Sequence, residues 1–183
     1  MKTDVKKWLK KDGYMFLKGI GLKQGNIILD FGCGEGHYAI PAAKVVGGKG
    51  KVYALDKDRT ALNELKKIAR KEGFKNIEPI KTEGELKIPL EKESIDVALL
   101  YDVLHPYYNI SGPDDRKKLL EDVYRVLKPD GFISVYPKHL ESEEIKKEAE
   151  EAGFHLEMRS FEKLFHDDDY DEGYIFNFSK VEM

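Results

Sequence analysis

Short apolar runs alternate with amphipathic stretches along most of this 183-residue chain. Runs rich in aliphatic residues predict strands at 26–29, 51–55, 76–82, 94–100 and 131–136. Apolar residues at helical spacing predict helices at 36–46, 58–72, 113–127 and 142–152. We interpret the order as a strand–helix unit repeated five times, which is typical of an α/β domain with a mostly parallel sheet.

The last part of the chain has a different pattern. Residues 155–163 and 173–181 alternate polar and apolar positions across a polar turn, which predicts an antiparallel hairpin. The fold class is therefore a doubly wound, seven-stranded α/β sheet, mostly parallel, with an antiparallel C-terminal β-hairpin. With no linker or repeat in view, we expect one domain over 1–183, with a helical cap at 1–24 and a core at 25–183.

Composition argues against several classes of protein. The net charge is −3, and basic residues are interleaved with acids, which disfavours a nucleic-acid-binding surface. A single cysteine excludes an internal disulfide and a cysteine-rich metal site, and it fits a reducing compartment. Neither an 18-residue apolar run nor a signal-peptide pattern occurs. We therefore expect a cytoplasmic protein without a membrane partner.

Three glycines at alternate positions directly follow the first predicted strand, at Gly32, Gly34 and Gly36. In a doubly wound sheet, ligands bind beyond the carboxyl end of this strand, where glycine backbone and a helix N-terminus face them. About twenty residues later the second strand ends at Asp56, whose carboxylate can accept hydrogen bonds from both hydroxyls of a ribose. Together these features predict a site for a cofactor that contains a nucleoside.

The glycine spacing does not match the dinucleotide fingerprint G-x-G-x-x-G. Counted from Gly32 the sixth position is His37, and counted from Gly34 it is Ala39. The pattern present is D-x-G-x-G-x-G, led by Asp30, which suits a nucleoside attached to a small zwitterionic tail. Asp30 would hold the ammonium group of that tail, directly or through water.

Four segments in order resemble the motifs of class I S-adenosylmethionine-dependent methyltransferases: 28–40, 52–56, 94–100 and 126–132. Their spacing is also similar, and the resemblance covers nearly the whole chain. It is closest to the branch of ubiquinone and menaquinone biosynthesis methyltransferases. The resemblance implies a Rossmann-like fold, S-adenosylmethionine as cofactor and S-adenosylhomocysteine as product.

The same resemblance implies which residues contact the cofactor. Loop backbone would pack against its methionine and ribose parts at Gly32, Cys33, Gly34 and Gly36. Asp56 would hold the ribose hydroxyls, Lys57 would cover the adenine, and Tyr101 would border the methionine and the transferable methyl group.

One departure concerns the adenine amino group, which the family often meets with an aspartate shortly before a Leu-Pro pair. Here Ile88-Pro89 stands for that pair, and the aspartate position is Gly84. Glu83 and Glu85 flank this glycine, so either carboxylate is a candidate for the adenine contact.

Methyl transfer is an in-line displacement in which the protein mainly positions the reactants, and a base is needed only when the acceptor holds its proton tightly. The loop at 102–109 should overhang the methyl group. His105 in this loop is the candidate base or substrate contact, and Tyr101 is a second candidate for a chemical role. His139, after the fifth strand, is a further candidate for the same side of the sheet.

The run His166-Asp167-Asp168-Asp169 invites a metal interpretation, because carboxylates bind hard cations. A defined site needs several converging ligands, and this run lies in the predicted hairpin turn. We therefore interpret it as a solvated acidic turn and predict no metal site.

Some acceptors are disfavoured. The Asn/Asp-Pro-Pro-Tyr motif of enzymes that methylate amino groups of nucleobases or glutamine is replaced by residues 101–104, which read Tyr-Asp-Val-Leu. Having one cysteine excludes methylation of arsenic by a cysteine triad. We expect a small-molecule methyl acceptor, and a homodimer is left open.

Three alternatives remain at this point. A nicotinamide-dependent oxidoreductase is disfavoured by the glycine spacing and the terminal hairpin. A cofactor-binding protein without turnover, acting through a partner, would keep the glycine loop and Asp56. Methylation of a protein or RNA delivered by a partner subunit is the third.

Overall fold

A computed structural model describes residues 2–104 and 112–181. The strands are β1 Ile27–Phe31, β2 Lys51–Asp56, β3 Ile77–Lys81, β4 Ile95–Tyr101, β5 Leu127–Tyr136, β6 Phe154–His166 and β7 Asp169–Lys180. The α-helices are α1 Thr3–Lys7, α2 Gly13–Gly19, α3 Ala39–Val46, α4 Arg59–Glu72, α5 Pro113–Val126 and α6 Ser142–Glu151. A π-helical turn, Trp8–Asp12, joins α1 to α2, and a 3₁₀ turn, Gly47–Lys49, follows α3.

The strands form one seven-stranded sheet in the order β3-β2-β1-β4-β5-β7-β6. β1, β2 and β3 pair in parallel, as do β4 and β5, whereas β7 pairs antiparallel to β5. The predicted mostly parallel α/β sheet with an antiparallel C-terminal end is therefore confirmed. Internal packing divides the chain into two compact units.

The first unit runs to Glu83 and includes Glu162–Gly173. The apolar side chains at the centre of β1 and β2 are buried, with Ile28 opposite Val52. Such continuous apolar strands suit a sheet covered on both faces. The predicted N-terminal cap is helical, as α1, the π-helical turn and α2.

Local signals explain the bounds of α4. The Asp58 side chain caps its N-terminus by accepting from the Thr60 N–H at 2.7 Å. Leu62 and Leu65 face the core. Gly73 ends the helix in the left-handed conformation, at φ 77°.

The helix predicted from residue 36 begins later, because α3 starts at Ala39. Gly34 and Gly36 have φ values of 51° and 92°. A right-handed helix cannot contain that backbone, so the helix forms only beyond the glycine loop.

The second unit contains Gly84–Phe161 and the chain from Tyr174 onward. Arg116 of α5 is buried, and its guanidinium donates hydrogen bonds to the carboxylates of Glu144 and Glu148 in α6. These bonds hold the two helices together. The fifth strand was predicted from residue 131 but starts at Leu127, because Leu127 already pairs with Ile95.

The connection between β3 and β4 corrects the prediction of five strand–helix units. Residues 82–94, all of them described, hold bends and turns but no helix, so the unit occurs four times. Side chains of α5 hold this connection in place. Asp122 accepts from the Ile88 N–H at 2.6 Å, and Arg125 donates to the carbonyls of Ile88 and Leu90 at 2.8 and 2.9 Å.

The terminal hairpin is longer than predicted, because β6 and β7 are joined by only Asp167 and Asp168. Both residues have positive φ, 49° and 64°, as in the type I′ turns that favour two-residue hairpin loops. The acidic run therefore lies at a hairpin turn, as predicted. Within the described ranges, no helix has the length and apolar character required to cross a membrane.

Candidate cofactor-binding site

The glycine loop, defined here as residues 32–36, bends over the end of β2. The Gly32 and Cys33 N–H groups both donate to the Leu55 carbonyl, at 2.8 and 2.9 Å. All three glycines lie in the left-handed region that other residues rarely adopt, Gly32 at φ 72°. Backbone conformation is therefore by itself a sufficient reason for glycine at these three positions.

Two of these glycines differ in what surrounds them. A Cβ placed on Gly36 would collide with the Leu65 side chain of α4. A Cβ placed on Gly34 would meet no atom within 4 Å in the part of the chain that the structure describes. Gly36 thus serves close packing of the helix, whereas Gly34 leaves backbone open to a ligand.

Asp56, at the end of β2, is held in a fixed orientation. One carboxylate oxygen accepts from the Gly34 N–H at 2.7 Å, and the other accepts from the Asp58 N–H at 2.8 Å. Each carboxylate oxygen can accept a second hydrogen bond. Asp56 is therefore preorganised beside the loop to accept hydrogen bonds from two neighbouring hydroxyls.

Asp30, near the end of β1, has a carboxylate that is buried and only partly hydrogen-bonded. Its side chain is 3% exposed, and Oδ2 has no hydrogen-bond partner among residues 2–104 and 112–181. Burial, reinforced by the negative charge of Asp56, raises the pKa of Asp30 to about 7, although a hydrogen bond from the Ala39 N–H acts against this rise. A cation placed here would stabilise the ionised carboxylate, so the position fits an ammonium group.

Cys33 faces the interior, and its side chain is 7% exposed. Burial, together with the charges of Asp30 and Asp56, raises the pKa of its thiol. The thiol therefore stays protonated at neutral pH and is a poor nucleophile.

The remaining predicted contacts are distributed over both units. Lys57 is exposed directly after β2 in the first unit. Gly84 lies in the second unit with φ 94°, a backbone conformation that favours glycine. Glu85 is exposed beside it. The roles of these three residues stay predictions.

Tyr101 closes β4 in the second unit, and its hydroxyl forms a 2.7 Å hydrogen bond with the Ser134 hydroxyl of β5. This bond fixes the Tyr101 ring against β5, which suits a positioning role better than proton transfer. Nearby, His139 Nε2 lies 3.5 Å from a carboxylate oxygen of Asp102. His105 falls within residues 105–111, outside the described residues, so its role also stays a prediction.

The sequence pattern does not identify Tyr38 as a residue that holds the end of the glycine loop. Tyr38 donates from its hydroxyl to the carbonyl of Phe165, 127 positions away, at 2.7 Å. Neither periodicity nor spacing indicates this partner, because the two residues lie far apart in the chain.

Comparisons with known proteins give a consistent result. A family model described as a methyltransferase domain matches residues 22–176. A demethylmenaquinone methyltransferase of Lactobacillus johnsonii is 30% identical over 157 residues, covering 86% of this chain and 60% of that protein. One from Lactococcus lactis is 31% identical over 149 residues, covering 81% of this chain and 56% of that protein. The chain thus spans less than two thirds of the length of each of these relatives.

Solved structures give a similar picture. The crystal structure of a SAM-dependent methyltransferase from Aquifex aeolicus has 30% identity and a TM-score of 0.69, covering 94% of this chain and 90% of that one. A SAM-dependent methyltransferase from Methanosarcina mazei has a TM-score of 0.73 at 16% identity, covering 91% of this chain and 98% of that one. The second likeness concerns the fold alone.

Proposed function

The chain belongs to the class I S-adenosylmethionine-dependent methyltransferases, and we propose that it methylates a small aromatic acceptor of the demethylmenaquinone class. The observation that supports the cofactor is the glycine loop, beside which lie a buried Asp30 with an unpartnered Oδ2 among the described residues and an Asp56 in fixed orientation. The proposed acceptor is supported by the two similar proteins described as demethylmenaquinone methyltransferases.

Each residue at the loop has a defined part in this proposal. Asp56 would accept hydrogen bonds from the ribose hydroxyls, and Asp30 would balance the ammonium charge. The open backbone at Gly34 would lie against the cofactor. When bound, S-adenosylmethionine supplies a methyl group that its sulfonium already activates. The protein then contributes mainly orientation and exclusion of water.

The proposed location and partners follow from charge and composition. The net charge of −3 and the interleaved basic residues support a small-molecule acceptor over a nucleic acid. We also propose that residues 1–183 work as one methyltransferase domain in the cytoplasm, with 1–24 as its cap. A homodimer remains a proposal, which light scattering of the purified chain would test.

The acceptor is tested by incubating the chain with S-adenosylmethionine and chemically reduced 1,4-naphthoquinone. We expect S-adenosylhomocysteine and a ring-methylated product in equal amounts, both detected by mass spectrometry. The Asp56→Ala variant is the control for cofactor-dependent turnover. Cofactor binding without any methylated quinol would refute this acceptor class and direct the search to a wider acceptor panel.

Asp30 predicts a pH dependence of cofactor binding. Because the ammonium group favours the ionised carboxylate, affinity should rise as pH increases from 5 to 7, by at most about tenfold per pH unit. Binding at pH 6 should release a proton, which calorimetry in buffers of different ionisation enthalpy detects. The Asp30→Asn variant should lose both the slope and the proton release.

The same group affects the stability of the ligand-free chain. Since the folded pKa of Asp30 is raised to about 7, the folded state retains a proton that the unfolded chain loses near its ordinary value of about 3.9. The contribution of Asp30 to the free energy of unfolding should therefore fall as pH rises from about 4 to about 7. A wild-type curve with the same pH dependence as Asp30→Asn would contradict this assignment.

A further inference from the structure

An aromatic cluster holds the backbone that leaves the glycine loop. We call it the aromatic clamp and define it as Trp8, Tyr38, Phe165 and Tyr170. Trp8 is 1% exposed, and its ring stacks on Phe165 with centroids 5.5 Å apart. Tyr38 and Tyr170 meet the Trp8 ring edge-on, at 5.5 and 6.2 Å. Aromatic pairs in these geometries are favourable beyond their buried area.

Hydrogen bonds join three parts of the first unit at the clamp. The Trp8 indole N–H donates to the His37 carbonyl at 2.7 Å. The Tyr38 hydroxyl donates to the Phe165 carbonyl at 2.7 Å and accepts from the Phe165 N–H at 3.2 Å. Tyr170 donates to the Asp12 carboxylate at 2.6 Å. The N-terminal segment, the start of α3 and the hairpin tip are thereby tied together.

The clamp acts on backbone next to the cofactor contacts. His37 directly follows Gly36, and Tyr38 directly precedes α3 without capping it through its own side chain. The direction of the first turn therefore depends on groups from elsewhere in the chain, which are the Asp30 carboxylate on the Ala39 N–H and the residues of the clamp. The Trp8 bond to His37 therefore constrains both the last residues of the loop and the first turn of the helix.

The local structure of the N-terminal segment brings the indole to this position. Trp8 begins the π-helical turn, a conformation found often at functional sites. Gly13 follows that turn, and a Cβ there would lie 2.9 Å from the Trp8 ring and 2.7 Å from Pro41 of α3. Glycine at this point lets the segment pack directly on the start of α3.

We propose that Trp8 is a positioning residue of the cofactor site, which couples the order of the N-terminal segment, residues 3–19, to the conformation of the glycine loop. The coupling passes through the indole N–H on the His37 carbonyl. A cofactor that fixes the loop then favours the ordered N-terminal segment, and the ordered segment favours the cofactor by the same factor. This inference rests on the proposed role of the glycine loop in binding S-adenosylmethionine.

The chain has one tryptophan, so a tryptophan analogue supplied during expression replaces position 8 alone. β-(3-Benzothienyl)alanine keeps the bicyclic shape and removes the N–H donor, whereas 5-fluorotryptophan keeps the donor and serves as the matched control. In calorimetry with S-adenosylmethionine, we expect the benzothienyl protein to bind about five- to tenfold more weakly. The fluorinated protein should bind within about twofold of the natural chain.

A second measurement separates coupling from a purely structural role and does not depend on the analogue. In the natural chain, S-adenosylmethionine should slow amide hydrogen exchange within residues 3–19 as well as in the glycine loop. Slowed exchange in the loop alone, or equal affinity of the two analogue proteins, would overturn the coupling and leave the proposed cofactor site intact. A folded natural chain that binds no S-adenosylmethionine would overturn the cofactor site itself, and the coupling with it.

Discussion

Replacing Asp56 by alanine is expected to weaken the binding of S-adenosylmethionine about ten- to a hundredfold, which corresponds to about 1.5–3 kcal/mol. The carboxylate is already oriented by the Gly34 and Asp58 N–H groups, so little ordering is required when hydroxyls bind. The variant loses the acceptor for both hydroxyls at once. Calorimetric titration of S-adenosylmethionine into wild type and variant measures the effect.

Glu78→Ala is the matched control for this variant. Glu78 is an exposed carboxylate on β3 that pairs with Lys51, so its removal changes the net charge equally. We expect Glu78→Ala to bind S-adenosylmethionine within about twofold of wild type, because surface pairs contribute little. Equal affinities for the Asp56 and Glu78 variants would remove Asp56 from the site.

Gly34→Ala is expected to reduce cofactor affinity by at least about tenfold while the protein stays folded. Its Cβ would project into open space in the described structure, so it costs only the strain of positive φ, on the order of 1 kcal/mol. Once a cofactor lies against this backbone, the same Cβ would collide with it. Affinity from calorimetry and stability from urea unfolding separate the two effects.

Gly48→Ala serves as the control, because a Cβ at Gly48 also meets nothing within 4 Å in the described structure and its φ lies outside the left-handed range. It should change neither affinity nor stability appreciably. Should Gly34→Ala bind the cofactor as tightly as Gly48→Ala, the ligand does not contact the loop at Gly34.

The parts of the site that sequence predicts well are those set by local signals. A buried run, a glycine at each alternate position and an acid after the second run place Asp30, Gly34 and Asp56 at adjacent strand ends in any doubly wound sheet. The succession of strands along the chain and the terminal hairpin follow from periodicity in the same way, whereas the spatial order of the strands in the sheet comes only from the structure. The comparisons with known methyltransferases support the function that these residues suggested.

Other parts depend on backbone angles or distant contacts that periodicity does not encode. The start of α3 was placed too early because apolar spacing continues through Gly36, whose φ of 92° stops the helix. The strand–helix unit occurs four times rather than five because β3 is followed by a loop, which Asp122 and Arg125 of α5 hold in place. The contact between Trp8 and Phe165 joins segments far apart in sequence, so it emerged only from the structure.

Calorimetric titration of the natural chain with S-adenosylmethionine, S-adenosylhomocysteine and NAD⁺ tests the proposed cofactor directly. We expect dissociation constants on the order of micromolar for the two adenosyl ligands, with no detectable binding of NAD⁺. Binding of NAD⁺ to a folded chain that ignores both adenosyl ligands would contradict it, because the loop and Asp56 would then serve a dinucleotide.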